Sequence, residues 1–202
     1  MSKAEPKGAW LRLVVALAIS TIGGSGFWSV VVALPAVATA FSVTRADASL
    51  AYAATMGGYA CGVVVMGRLA DRFGIALPLA AGTLALGLGD IAVGNAPSLS
   101  GFALAQGLLV GVGSAAAYTP LVANISLWFT RRRGVAIAIC ASGNTLAGAI
   151  WPSVLQHFFG TLGWRHTFVA LGLFCLATML PLIPVLRRRP PAQPSGPAAA
   201  VP

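Results

Sequence analysis

Side chains able to do chemistry are few in this sequence, and the informative ones lie inside long apolar runs. Asn144 sits mid-run, with Gly148 and Trp151 four and seven residues further along the same helical face. Gln106, Ser114, Tyr118 and Asn124 are spread along another run, and Ser20, Phe27 and Trp28 along a third. Amides, hydroxyls and aromatic rings in such places can hydrogen-bond and stack a small organic molecule. Lipid tolerates polar groups poorly, so each of them needs a partner or a function. Ordinary interhelical hydrogen bonds and interfacial aromatics are the competing explanation for every one.

Other chemistries find no support. There is no phosphate-cradling Gly-rich loop, no Gly-x-Ser-x-Gly elbow and no His/Glu metal pair. No catalytic residue, metal or cofactor is expected. Cys61, Cys140 and Cys175 are far apart in apolar runs and read as small packing residues. Asp90, the one carboxylate well inside a run, stands a few residues from its end, where a solvated or capped helix-terminal acid is expected rather than a proton carrier. His157 and His166 fall near the same outer level, as pH sensors or as interfacial residues.

The elements that must hold these groups follow from composition. Hydrophobic residues make up 57% of the chain and charged ones 8%, with a net charge of +9 and a mean hydropathy of +0.85. Soluble domains carry about 25% charged residues, so the chain reads as an integral membrane protein with the lipid bilayer as its first partner. The cations sit in short clusters beside apolar runs, a topology signal that gives no reason to expect nucleic acid. The first run is too long for a signal peptide.

Six stretches are long enough to cross a bilayer: 11–34, 48–66, 75–93, 101–129, 134–155 and 166–186. They are continuously apolar, which predicts an all-α membrane protein rather than a barrel. A cytoplasmic N-terminus puts Lys3, Lys7, Arg12, Arg68, Arg72, Arg131, Arg132, Arg133, Arg187, Arg188 and Arg189 inside. Only Arg45 and Arg165 then fall outside, so both termini are expected in the cytoplasm. The expected outer connections are 41–47, 94–100 and 157–165. The expected divisions are a cytoplasmic tail over 1–10, a six-helix body over 11–186, and a basic, then Pro/Ala-rich tail or linker over 187–202. Gly58 with Gly62, and Gly107 with Gly111, place small residues on one helix face, where backbones can approach closely in lipid.

Between the second and third stretches lies Gly67-Arg68-Leu69-Ala70-Asp71-Arg72-Phe73-Gly74, a polar hairpin. Gly67 removes a side chain where one helix would pass close to another. Asp71, just before a helix start, would accept that helix's free N–H groups. The hairpin resembles the signature loop of the major facilitator superfamily, although Ile75 and Ala76 stand where that pattern carries basic residues. Two further blocks are similar to the monocarboxylate and oxalate/formate porter branch. They are Trp128-Phe129-Thr130-Arg131-Arg132-Arg133-Gly134-Val135-Ala136 with Ala141-Ser142-Gly143-Asn144, and Gly163-Trp164-Arg165. Gly26-Phe27-Trp28 echoes the first-span motif of that branch, with Gly24 and Ser25 in place of its acidic residue.

The resemblance implies one half of a transporter, a three-plus-three inverted repeat working by alternating access. It implies a plasma-membrane protein moving a small organic anion such as a monocarboxylate, coupled to protons. Gly67, Arg68, Asp71, Arg72 and Gly74 would form a cytoplasmic latch, with Arg68 or Arg72 as ion-pair partner of Asp71. Trp28, Gln106, Tyr118, Asn124, Asn144 and Trp151 would face the substrate cavity. Only the first half of the family pattern is present, so the sequence is expected to be a truncated product. A second half on another chain and a homodimer are the alternatives, and a non-transporting remnant or assembly partner competes with transport itself.

Overall fold

The computed structural model describes residues 8–129 and 131–187. Most of the two expected tails, residues 1–7 and 188–202, therefore lies outside the described residues, as does Thr130. The described elements are helices: α1 (Ala9–Gly23), α2 (Ser25–Ala40), α3 (Arg45–Phe73), α4 (Ala76–Gly94), α5 (Leu99–Ala105), a π-helical segment (Gln106–Gly111), α6 (Val112–Ala116), α7 (Thr119–Trp128), α8 (Arg133–Met179), a short 3-10 turn (Leu180–Leu182) and α9 (Ile183–Leu186). They join into five apolar helical rods long enough to cross a membrane: Ala9–Ala40, Arg45–Phe73, Ala76–Gly94, Leu99–Trp128 and Arg133–Leu186.

The count differs from the six expected stretches because 134–155 and 166–186 fall within one helical run. Residues 157–165, expected as an outer loop, are helical except at Gly163, where φ 77 and ψ 159 leave the helix. Only a residue without Cβ takes that conformation cheaply. The first run is also longer than the expected 11–34, continuing past Pro35 to Ala40. Helix starts follow local chemistry. Thr44 and Asp47 form a reciprocal capping box at the head of α3, and the Ser98 hydroxyl accepts from Gly101 N–H at the head of α5.

Two arginines gather the helix ends. At one end Arg12 donates to the Leu186 carbonyl at 3.3 Å and lies 3.9 Å over the Trp128 ring. At the other, Arg165 donates to the carbonyls of Gly94 (3.3 Å) and Ala96 (2.8 Å) and lies 4.4 Å over Trp164. The run Arg133–Leu186 thus leaves the first end, bends at Gly163 beside the second, and returns.

The glycine expectation holds where helices touch. A methyl group at Gly58 would collide with the Gly107 carbonyl oxygen, and one at Gly111 would come within 2.6 Å of the Thr55 oxygen. Backbone-to-backbone approach of this kind gives dense dispersion contact without a hydrophobic drive.

Candidate functional site

Where α1, α2, α3, α6 and α8 converge, a cavity of about 110 Å³ is lined by Ser20, Gly24, Phe27, Tyr59, Ser114, Ala117, Tyr118 and Asn144. Small residues draw its walls together. A methyl at Gly24 would lie 2.5 Å from the Ala147 methyl and 3.5 Å from Asn144 Oδ1, and one at Gly143 would lie 2.8 Å from Ser20 Cβ. The opposite wall comes from an interruption between α6 and α7. Ala117 and Tyr118 donate backwards to Ser114 and Ala115, a tighter i−3 pattern, and Tyr118 departs from helical geometry at φ −124, ψ −71. Pro120 then starts α7, in the first-turn position where its missing N–H costs nothing.

Polar atoms on these walls lack partners. The Ser20 and Ser114 hydroxyls are buried (3% and 4% exposed) and form no hydrogen bond. Unmade hydrogen bonds in a buried site are costly, about 1–3 kcal/mol each. Two hydroxyls, two phenols, one amide and the Phe27 ring together suit a ligand that accepts and donates hydrogen bonds and offers a flat or apolar body. No Lys, Arg, Asp, Glu or His is among the lining residues.

The expected cavity residues divide. Tyr118 and Asn144 line it. Trp28 stands beside it without lining it, packed on Gly148, where a methyl would meet its ring at 2.7 Å, and edge-on to Phe27 at 5.6 Å. Gln106 is wholly buried within the bundle, with both amide atoms unpartnered, and does not reach the cavity. Trp151 donates its indole N–H to the Thr21 carbonyl at 2.7 Å and turns its ring toward an apolar groove with Phe158 and Phe174. Asn124 lies at the hairpin end, lining grooves with Phe73, Gly74 and Ile75. Tyr59 was not anticipated. Its signal is a phenol next to Gly58, in a run whose small residues mark the helix contact.

At the hairpin, Gly74 ends α3 with φ 82 and ψ 173, its N–H bonded to Ala70 O at 2.9 Å. Two expectations need correction. Asp71 lies in the last turn of α3 rather than ahead of α4, whose N-cap is Ile75 with no side-chain cap. A methyl at Gly67 would meet nothing within 4 Å, so among the described residues no helix passes close there. Arg68, Asp71 and Arg72 are exposed, and among the described residues no ion pair joins Asp71 to either arginine. Asp90 also departs from expectation. It is 0% exposed, neither solvated nor capping, and both its oxygens lack partners.

The family model for the Major Facilitator Superfamily matches residues 14–202. Monocarboxylate transporter 11 of Homo sapiens is 31% identical over 205 residues, covering 97% of this chain and 43% of its own. The MFS-type transporter pytF of Aspergillus terreus is 32% identical over 136 residues, covering 67% of this chain and 46% of its own. The Agnestins efflux protein AgnL12 of Paecilomyces divaricatus is 32% identical over 136 residues, covering 63% and 31%. The chain thus spans less than half the length of these relatives.

Proposed function

The chain belongs to the Major Facilitator Superfamily, and from that premise we propose that it is one lobe of a secondary transporter working by alternating access. Its helices cross the plasma membrane six times, with the bend at Gly163 as the turn between the fifth and sixth spans and both termini in the cytoplasm. The cation distribution and the gathering of Arg12, Trp128 and Leu186 at one end support that orientation. The hairpin Gly67, Arg68, Asp71, Arg72 and Gly74 lies on that cytoplasmic end and latches against a second lobe.

One observation carries the functional reading: the polar cavity closed by Ser20, Ser114, Tyr118 and Asn144 lies where the first, second, fourth and fifth rods converge. Family halves meet face to face around a substrate near the midplane. A cavity of this size is one wall of a site, completed by a second lobe from the rest of a longer chain, a separate chain or another copy. The substrate is a small organic compound. The relation to a monocarboxylate transporter over nearly the whole chain favours an organic anion, and coupling to a proton is part of the proposal. Relation to a protein named for agnestins efflux supports a second reading, export rather than uptake of an organic compound.

Uptake into vesicles carrying the purified protein tests this, using a labelled monocarboxylate with and without a pH gradient. Uptake that depends on the gradient and falls in Ser114→Ala and Tyr118→Phe is the expected result. A correctly inserted protein that moves no organic solute, alone or with a complementing second half, would leave the non-transporting reading in place.

A further inference from the structure

Asp90 is the group that neither the cavity nor the hairpin uses. It sits one turn before the end of α4, 0% exposed, with Oδ1 and Oδ2 both unpartnered. The backbones of α4 and α8 close around it because glycines face each other there. A methyl on Gly87 or Gly172 would collide with the opposite helix, and one on Gly172 would also lie 3.2 Å from Asp90 Cβ. One on Gly94 would come within 2.6 Å of the Arg165 carbonyl. Such a seat requires a side chain that fits, and an apolar one would fit without the cost of burying carboxyl oxygens. The chain has four acidic residues: Glu5, Asp47 in a capping box, Asp71 on the hairpin, and this one.

The surroundings of Asp90 connect it to the cavity. Cys175 of α8 stands three residues past Gly172, whose added methyl would lie 3.2 Å from Asp90 Cβ, and so shares the helix face turned to α4. Cys175 Sγ is 3.5 Å from the Ser25 hydroxyl. Ser25 directly follows Gly24, which lines the cavity. From α8, Cys175 is the titratable group facing Asp90, and Arg165 is held one turn beyond, on the carbonyls of Gly94 and Ala96. Segments 99–116 and 183–186, also packed on α4, carry no titratable side chain. On α3, Tyr52 and Tyr59 contact Phe27, and Cys61 is exposed.

We infer that Asp90 is a proton-binding site inside this lobe, exchanging its proton with water at the Gly94 end of the bundle and passing its change of charge through Cys175 and Ser25 to the cavity. The step makes or breaks one O–H bond on the carboxyl, with a water-derived proton as the only reactant. Switching a charge on or off inside a bundle changes what the neighbouring contacts must balance, and intramembrane acids are characteristic of proton relays. The inference does not depend on transport by this chain, since proton binding is read directly.

Infrared difference spectra of the purified protein between acidic and alkaline buffer test it, and so few carboxyl groups make the spectrum tractable. Expected is a reversible band from a water-shielded carboxyl group that Asp90→Asn removes and Asp47→Asn and Asp71→Asn retain. Ser25→Ala is expected to move its titration midpoint by about one pH unit. Should Asp90→Asn fail to fold, carboxyl-labelled aspartate in the unmodified chain shifts the same band, and Asp71→Asn and Asp47→Asn assign it by elimination. A carboxyl band that never changes across the pH range in which the helices persist, or one that belongs to Asp47 or Asp71, overturns the inference. A midpoint unmoved in Ser25→Ala removes the connection to the cavity.

Discussion

Gly57, Gly62 and Gly67 stand five residues apart on α3, and their surroundings are opposite. A methyl group at Gly62 would lie 2.8 Å from Val112 Cα, 2.9 Å from Ala115 Cβ and 3.0 Å from the Val112 carbonyl oxygen. Two of those three atoms are backbone, so no side-chain rotation relieves the contact. Restoring an ordinary separation of 3.4 Å from 2.8 Å requires α3 and α6 to part by about 0.6 Å along the whole face they share. Overpacking of this kind costs about 1–3 kcal/mol, offset by the up to ~1 kcal/mol that alanine gains over glycine in a helix. Gly62→Ala is therefore expected to lose about 1–2 kcal/mol, whereas Gly57→Ala and Gly67→Ala, with nothing within 4 Å, should keep or gain stability. At roughly 2–4 °C per kcal/mol for a chain of this size, Gly62→Ala should unfold some 2–8 °C below the parent in detergent, followed by helix signal. The two controls should unfold at or above it. Equal midpoints for all three variants would refute the close approach of α3 and α6.

Other perturbations separate structure from function. Ser20→Ala and Ser114→Ala remove unpartnered buried hydroxyls, so each should leave thermal stability unchanged or raised by up to about 1 kcal/mol while lowering uptake or ligand binding several-fold; a stability loss without a binding change would assign them to packing. Trp151→Phe loses one hydrogen bond to Thr21 and should cost about 0.5–1.5 kcal/mol in thermal unfolding, with substrate affinity unaltered. Arg165→Met uncaps the Gly94 and Ala96 carbonyls and should cost about 1–2 kcal/mol, read as faster proteolysis at the 94–98 turn, which Arg165→Lys restores in part. Asp71→Asn changes an exposed, unpaired acid, so unfolding should be unchanged while uptake by the completed two-lobe protein falls; full uptake would argue against a latch.

Much of this architecture could be read from the residues, because continuous apolar runs and glycine pairs are direct consequences of a lipid solvent. Gly58, Gly62, Gly107 and Gly111 fall at contacts where their spacing placed them. The fourth rod was harder to read. Gln106, Ser114, Tyr118 and Asn124 look like one polar series, but the π-helical segment Gln106–Gly111 and the irregularity at Tyr118 each shift the helical phase. The four residues consequently point to three places: the bundle interior, the cavity and the hairpin end. Constant periodicity could not have anticipated that. The connection expected over 157–165 contracts to the single residue Gly163, because the residues on either side keep helical geometry, and composition alone does not show how short such a turn can be. Asp90 departs from expectation because α8 packs closely on α4 through Gly87 and Gly172, which buries a side chain that sequence distance puts near water.

The glycines also bear on where the proposed second lobe would sit. Within the chain, glycines that face another helix are crowded: Gly62 against Val112, Gly111 against Thr55, Gly143 against Ser20. Gly57 and Gly67 break that pattern, lying on the same helix as Gly62 with empty space above them, and of the two Gly67 is the one followed by exposed Arg68, Asp71 and Arg72. A hairpin that served only to keep cations in the cytoplasm would need its arginines, but it would need neither an acid nor a glycine in helix at a cost of up to ~1 kcal/mol against alanine. Both features suit a surface that another helix approaches from outside this chain, with Asp71 and the arginines available to its ends or side chains. On that reading, alanine at Gly67 is harmless to the isolated lobe and harmful to the assembled carrier. This split between unfolding and transport would not arise if the hairpin faced only water.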